Sequence, residues 1–144
     1  MLAIASGAWL LSPAWLTASL EAGAWVPEAG FEAGVRFAAA AARARAATAG
    51  PNAAPLLAGE MVYVHLEDKC KKLLGSNAAA LRRIAAALGA RAAATPPNCS
   101  LCVVVGGGRR PAGLPAEAAC VREEWLLAAA ETYERPLLEA HALA

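Results

Sequence analysis

WLTASLEAG (Trp15–Gly23) and WLLAAAETY (Trp125–Tyr133) lie near opposite ends of this 144-residue chain and decide how it is read. Both spell Trp-Leu-x-Ala, and both place a glutamate six residues after the tryptophan. The first carries the start and stop signals of a helix. Ser12 stands at the N-cap, Pro13 occupies the first helical position, and Gly23 follows the last. Trp15, Leu16, Ser19 and Leu20 then share one face. The second phrase opens on Glu123 and Glu124, whose carboxylates favour the positive end of a helix dipole. One helical phrase used twice raises the question of what surrounds each copy.

The residues before the second copy alternate like an α/β domain. LLAGEMVYVHLEDK contains a strand with Met61, Tyr63 and His65 on one face and Val62, Val64 and Leu66 on the other, as in a strand covered on both sides. NAAALRRIAAALGA reads as a helix capped by Asn77 and ended by Gly89. SLCVVV is a second buried strand, GGGRRPAGLP a loop, AACV a short strand, and REEWLLAAAETY the final helix. From Leu56 on, this order implies a small parallel sheet with helices on both faces, able to fold by itself over residues 57–144.

The copy before it has a different context. GAWLL is a short apolar extended run and AWVPEAGFE an extended tail. RFAAAAARARAATAGPNAAP follows, and its alanines and arginines favour helix until Gly50-Pro51. With few large apolar side chains, it reads as a helical linker or tether over residues 38–56.

Composition narrows the function. Thirteen Lys+Arg against twelve Asp+Glu leave a net charge of +1. No basic stripe suggests direct nucleic-acid contact, and no polybasic or acidic tail marks a membrane patch. Met1–Leu20 is uncharged, but it lacks a basic n-region and is broken by Ser6, Ser12, Pro13 and Thr17. It reads neither as a secretory signal nor as a span. Cys99 and Cys102 form a CxxC inside a strand-like run, far from Cys70 and Cys120, which fits reduced apolar thiols better than a metal site. No cofactor is expected, and His65 and His141 belong to no nucleophile-base-acid set.

The order of elements, with Leu-Gly-Ala after the first helix and a tryptophan in the last, resembles the BRCT repeat. That family runs strand-helix-strand-strand-helix-strand-helix, and its glycine and tryptophan fall here on Gly89 and Trp125. By the same resemblance WLTASLEAG is the last helix of a preceding repeat, with Trp15 as its tryptophan and GAWLL as its strand. The expected domains are residues 1–37 (the C-terminal part of a first repeat), the linker 38–56, and a complete second repeat 57–144. The stretch between CVVV and AACV holds no substantial helix.

Tandem BRCT pairs imply a non-enzymatic phosphoprotein-binding module of nuclear DNA-damage, cell-cycle or chromosome-condensation proteins. They read a phosphoserine and an apolar side chain three residues later. Carried over by position, the groove for that second side chain comprises Met1, Ile84 and Leu127. Glu123 stands where one peptide-reading member has an arginine, with Arg122 one place earlier. The implied partners are phosphoserine proteins, histone tails among them. The first repeat's phosphate loop has no counterpart after Met1, so the chain as written is expected not to bind phosphate, and Trp9, Trp15 and Trp25 are expected to be exposed and prone to association. Lysines in EDKCKK are expected to be solvated. Two other readings stay open: a small nucleotide-binding α/β enzyme using the Gly106–Gly108 loop, and a phosphate-independent scaffold.

Overall fold

The computed structural model describes residues 1–67, 71–106 and 109–143. Its centre is a four-stranded, all-parallel sheet in the order β2-β1-β3-β4. β1 (Met61–His65) buries Val62 and Val64 and leaves Met61, Tyr63 and His65 half-buried, which is the alternation its sequence shows. β3 (Leu101–Val104) is buried at every position because strands flank it on both sides and both faces are covered. β2 (Arg91–Ala92) is a two-residue exposed edge. β4 (Ala119–Arg122) is the other edge, where Val121 forms an antiparallel bridge to Ala142 and the Leu143 N–H donates to the Cys120 carbonyl.

The helices that pack on the sheet gather on one face rather than two. α1 (Leu2–Ala5), α3 (Val35–Thr48), α4 (Lys71–Ala87) and α5 (Glu123–Thr132) enclose a core with Val62, Val64, Leu101, Val103 and Val121. The opposite face packs Cys99, Cys102, Val104, Ala118 and Cys120 under Met61, Tyr63, Leu114 and Leu143. A helix between β3 and β4 would have to run through Pro111, Gly113 and Pro115, which lack a donor or favour other conformations. Arg110 braces this connection instead, donating to the Pro115 and Ala118 carbonyls. Fully buried Leu88, Val103, Trp125 and Leu126 anchor the helix-side core. Each such side chain contributes about 1.5–3 kcal/mol of transfer free energy.

One local expectation changes and one holds. Asn77 is no cap, because α4 starts at Lys71 and passes through Gly75 and Ser76. A glycine inside a helix costs about 1 kcal/mol, and packing of Leu74, Ala78 and Leu81 onto the core offsets it. Gly89 does end the helix region, with φ +94°, and a Cβ there would collide with Pro55.

The alanine-rich segment forms the expected helix, but α3 is packed rather than a free tether. Ala40, Ala41 and Ala44 are buried against α1 and α5, and their small side chains let the backbones come close. Arginines fasten its rim. Arg36 pairs with Glu131 and Arg43 with Glu134. Arg45 pairs with Glu32, donates to the Gly7 carbonyl, and lies over the Trp9 ring at 3.6 Å from its centroid.

Before α3, a first unit matches the β4–α5 region of the second at a constant offset of 110 residues, the spacing of Trp15 and Trp125. The Trp15 Nε1–H donates to the Val26 carbonyl at 2.9 Å, and the Trp125 Nε1–H donates to the Pro136 carbonyl at 2.9 Å. Leu11 bridges Glu32 as Val121 bridges Ala142. The Ala33 N–H donates to Leu10 as the Leu143 N–H donates to Cys120. α2 (Pro13–Ala22) ends at left-handed Gly23, and α5 ends at left-handed Tyr133. The helical phrase noticed in the sequence is therefore the same element in both places, built with the same hydrogen bonds.

Candidate peptide-binding groove

α1 packs against both α4 and α5, so the start of the first unit meets two helices of the second. On α4 and α5 lies a cavity of ≈250 Å³ lined by Asn77, Ala80, Leu81, Ile84, Glu123 and Leu127. Helical geometry explains the set: Asn77, Ala80, Leu81 and Ile84 recur at three- and four-residue intervals on α4, and Glu123 and Leu127 are four apart on α5. Ile84 is 5% exposed and belongs to the core, while Leu127 is half-buried and packs against it. Glu123 is the one ionisable side chain in the lining.

Three residues expected in a groove (Ile84, Leu127 and Glu123) are thus brought together. Met1 is not in the lining. It caps the outer end of a four-residue helix and is 38% exposed. Asn77, Ala80 and Leu81 were not singled out from sequence, although their spacing ahead of Ile84 is the signal that finds them.

A larger cavity of ≈700 Å³ opens at the C-terminal end of β1, lined in part by Tyr63, His65, Glu67 and Arg82. Such ends of parallel strands are common ligand positions. Arg82 is exposed, and its guanidinium donates to the Val64 carbonyl. Asp68, Lys69 and Cys70 lie outside the described residues, as do the side chains of Lys71 and Lys72, and with them the lysines of EDKCKK. Of the glycine run, Gly107 and Gly108 are likewise outside. Gly106 follows β3 with φ +75°, and the next described helix begins only after β4, at Glu123. The dipole of a phosphate-loop helix has no counterpart there among the described residues.

The remaining polar and thiol groups have structural explanations. The Ser100 hydroxyl donates to Glu60 Oε2 at 2.6 Å, and Arg135 Nη2 donates to its Oε1 at 2.6 Å. The Ser100 bond, with the Arg135 charge, holds the Glu60 carboxyl below the usual carboxylate range against the effect of burial. On the helix-free face, burial pushes the Cys99, Cys102 and Cys120 thiols up, Cys102 most strongly. Among the described residues, no cluster of three or more His, Cys, Asp or Glu side chains is arranged to hold a metal ion. No described helix is long and apolar enough to cross a membrane.

A parallel four-stranded sheet, with its helix packing and terminal tryptophan helix, defines a BRCT-type α/β fold. No family model matches the sequence, and no curated protein matches it. Among solved structures the chain is similar to the C-terminal BRCT domain of human XRCC1, with 12% identity and a TM-score of 0.51 over 62% of this chain and 94% of that one. It is similar too to the second XRCC1 BRCT domain, with 11% identity and a TM-score of 0.51 over 62% of this chain and 91% of that one. The chain has the BRCT fold.

Proposed function

We propose that this protein is a non-enzymatic interaction module of the tandem BRCT kind, acting in a nuclear DNA-damage, cell-cycle or chromosome-condensation protein. The observation that carries the reading is the convergence of Ile84, Leu127 and Glu123 on one cavity between α4 and α5. In this reading the second unit supplies an apolar wall for a side chain near a phosphoserine. Glu123 disfavours an anion, so the phosphate itself needs a basic site elsewhere. Residues Ile4–Glu32 resemble the matching stretch of the C-terminal BRCT pair of microcephalin, which suggests a parent of that type and histone-tail or other phosphoserine partners.

Burying one apolar side chain contributes about 1.5–3 kcal/mol, less than the ~4.1 kcal/mol of a millimolar complex. The 144 residues alone are therefore expected to bind weakly and without regard to phosphate. Methyl NMR of the chain with millimolar peptide, phosphorylated or not and aromatic three residues after the serine, tests this. The Ile84 and Leu127 methyl signals shift equally with both peptides, and Leu127→Lys abolishes the shift. Phosphate-dependent shifts would overturn the division of labour, and shifts away from α4 and α5 would overturn the groove.

A further inference from the structure

The groove on α4 and α5 is apolar except at one end. Glu123 lines it half-buried, beside Ala80, Leu81, Ile84 and Leu127, and has no ion-pair or hydrogen-bond partner among the described residues. The carboxylates of Glu32, Glu60, Glu131 and Glu134, by contrast, each meet an arginine. The first turn of α5 is a favourable place for a carboxylate, because the helix dipole is positive there. The dipole does not require that this carboxylate border the groove. Glu124, one residue on, serves the same dipole from the exposed surface and is absent from the lining. A carboxylate against an apolar wall is partly desolvated, and a cation brought to it offsets that cost.

The two helices set a register. Each leaves the C-terminal end of a strand of the same parallel sheet, α4 after β1 and α5 after β4, so both run back along it in the same direction. Asn77 and Glu123, the first lining residue of each helix, therefore mark one end of the groove, and Ile84 and Leu127 the other. Glu123 and Leu127 stand about 6 Å apart along the helix axis. In an extended peptide, residues two apart share a face at a spacing of about 7 Å. We infer, resting on the groove reading above, that the peptide held here is basic: its apolar side chain sits on Ile84 and Leu127, and an arginine two positions away pairs with Glu123. Arginine suits the place better than lysine. Its planar fork meets a carboxylate through two hydrogen bonds, it is more weakly hydrated than an ammonium, and its aliphatic stem covers Ala80 and Leu81. The Asn77 side-chain carbonyl is a second acceptor at the same end. Glu123 is thus the residue that selects by charge, and an acidic side chain at that place is repelled.

The test uses the full 144-residue chain and three unphosphorylated peptides that differ at two positions. Each has a central phenylalanine, with arginine, glutamine or glutamate two residues to either side, so that both chain directions are served. Binding is read from the Ile84 and Leu127 methyl signals. The arginine peptide is expected to bind about fivefold more tightly than the glutamine one, and the glutamate peptide more weakly than both. Glu123→Gln removes the preference for arginine and Glu123→Lys reverses the order, while Glu124→Gln, just outside the groove, preserves it. The peptide series on the unaltered chain decides the question if a Glu123 variant fails to fold. Equal affinity for the arginine and glutamine peptides would overturn the charge selection and leave the groove standing. A preference for arginine that survives Glu123→Gln would place the attraction elsewhere and overturn it as well. Absence of methyl shifts with all three peptides would overturn the groove itself, and this inference with it.

Discussion

Ala44 is fully buried where α3 meets α1 and α5, next to Ala40 and Ala41. Ala44→Leu adds three carbons to a junction that close backbone approach has already filled. Overpacking of this sort costs about 1–3 kcal/mol. The arginine pairs on the rim of α3 cannot offset that, since exposed ion pairs such as Arg43–Glu134 contribute roughly 0–1 kcal/mol each. Ala46→Leu adds the same carbons on the exposed side of the same helix, where substitutions stay within about 0.5 kcal/mol. Urea unfolding of the two variants isolates packing from helix propensity. Ala44→Leu should lower the midpoint at unchanged slope, and a loss of ~2 kcal/mol should lower the melting temperature by about 4–8 °C. Ala46→Leu should move neither. If both variants are silent, α3 is a tether after all, and the first unit is joined to the second by chain alone.

Trp125→Phe leaves the Pro136 carbonyl unpaired and shrinks a buried ring, costing about 2–3 kcal/mol, whereas Trp15→Phe at the equivalent but only half-buried position costs about 1 kcal/mol less; chemical denaturation of both compares them. Glu60 titrates below its unfolded value, so its contribution is present above that value and is lost as pH falls through the folded one; Glu60→Gln should flatten the acid limb of the stability profile and leave neutral-pH slope unchanged. Cys99, Cys102 and Cys120 should resist iodoacetamide at neutral pH while the chain is folded, because burial raises their thiols, and should label on unfolding, as peptide mass spectrometry would show.

The strands were legible because their signal is local: period-two alternation in Met61–His65 and an unbroken apolar run in Leu101–Val104. Helix α2 was legible to the residue from Pro13 and Gly23. The start of α4 was not, because Asn77 is a good cap and Gly75-Ser76 a poor helix interior, and only the core beneath Leu74 and Ala78 explains why the helix continues. The role of α3 was hidden for the opposite reason. Alanine carries little transfer free energy, so its sequence offers no strong apolar face, yet small size is what a close helix crossing requires. The one-sided helix layer was half-visible in the prolines between β3 and β4. For the groove, Ile84, Leu127 and Glu123 could be placed by resemblance, but Asn77, Ala80 and Leu81 needed the correct phase and length of α4.

The offset of 110 residues carries more than a family likeness, because it separates what a BRCT tail encodes locally from what it borrows. The indole bond to a carbonyl eleven residues on, the left-handed helix end and the antiparallel bridge all form in the first unit, where no sheet lies beneath among the described residues. They also form in the second, where one does. These features are therefore set by residues 11–33 and 121–143 themselves. Burial is what the sheet adds: Leu126 is sealed and Leu16 is open, at equivalent positions of the same helix. The first unit keeps its hydrogen bonds while its apolar face stays uncovered, so local sequence sets the bonds and packing against a sheet sets the burial.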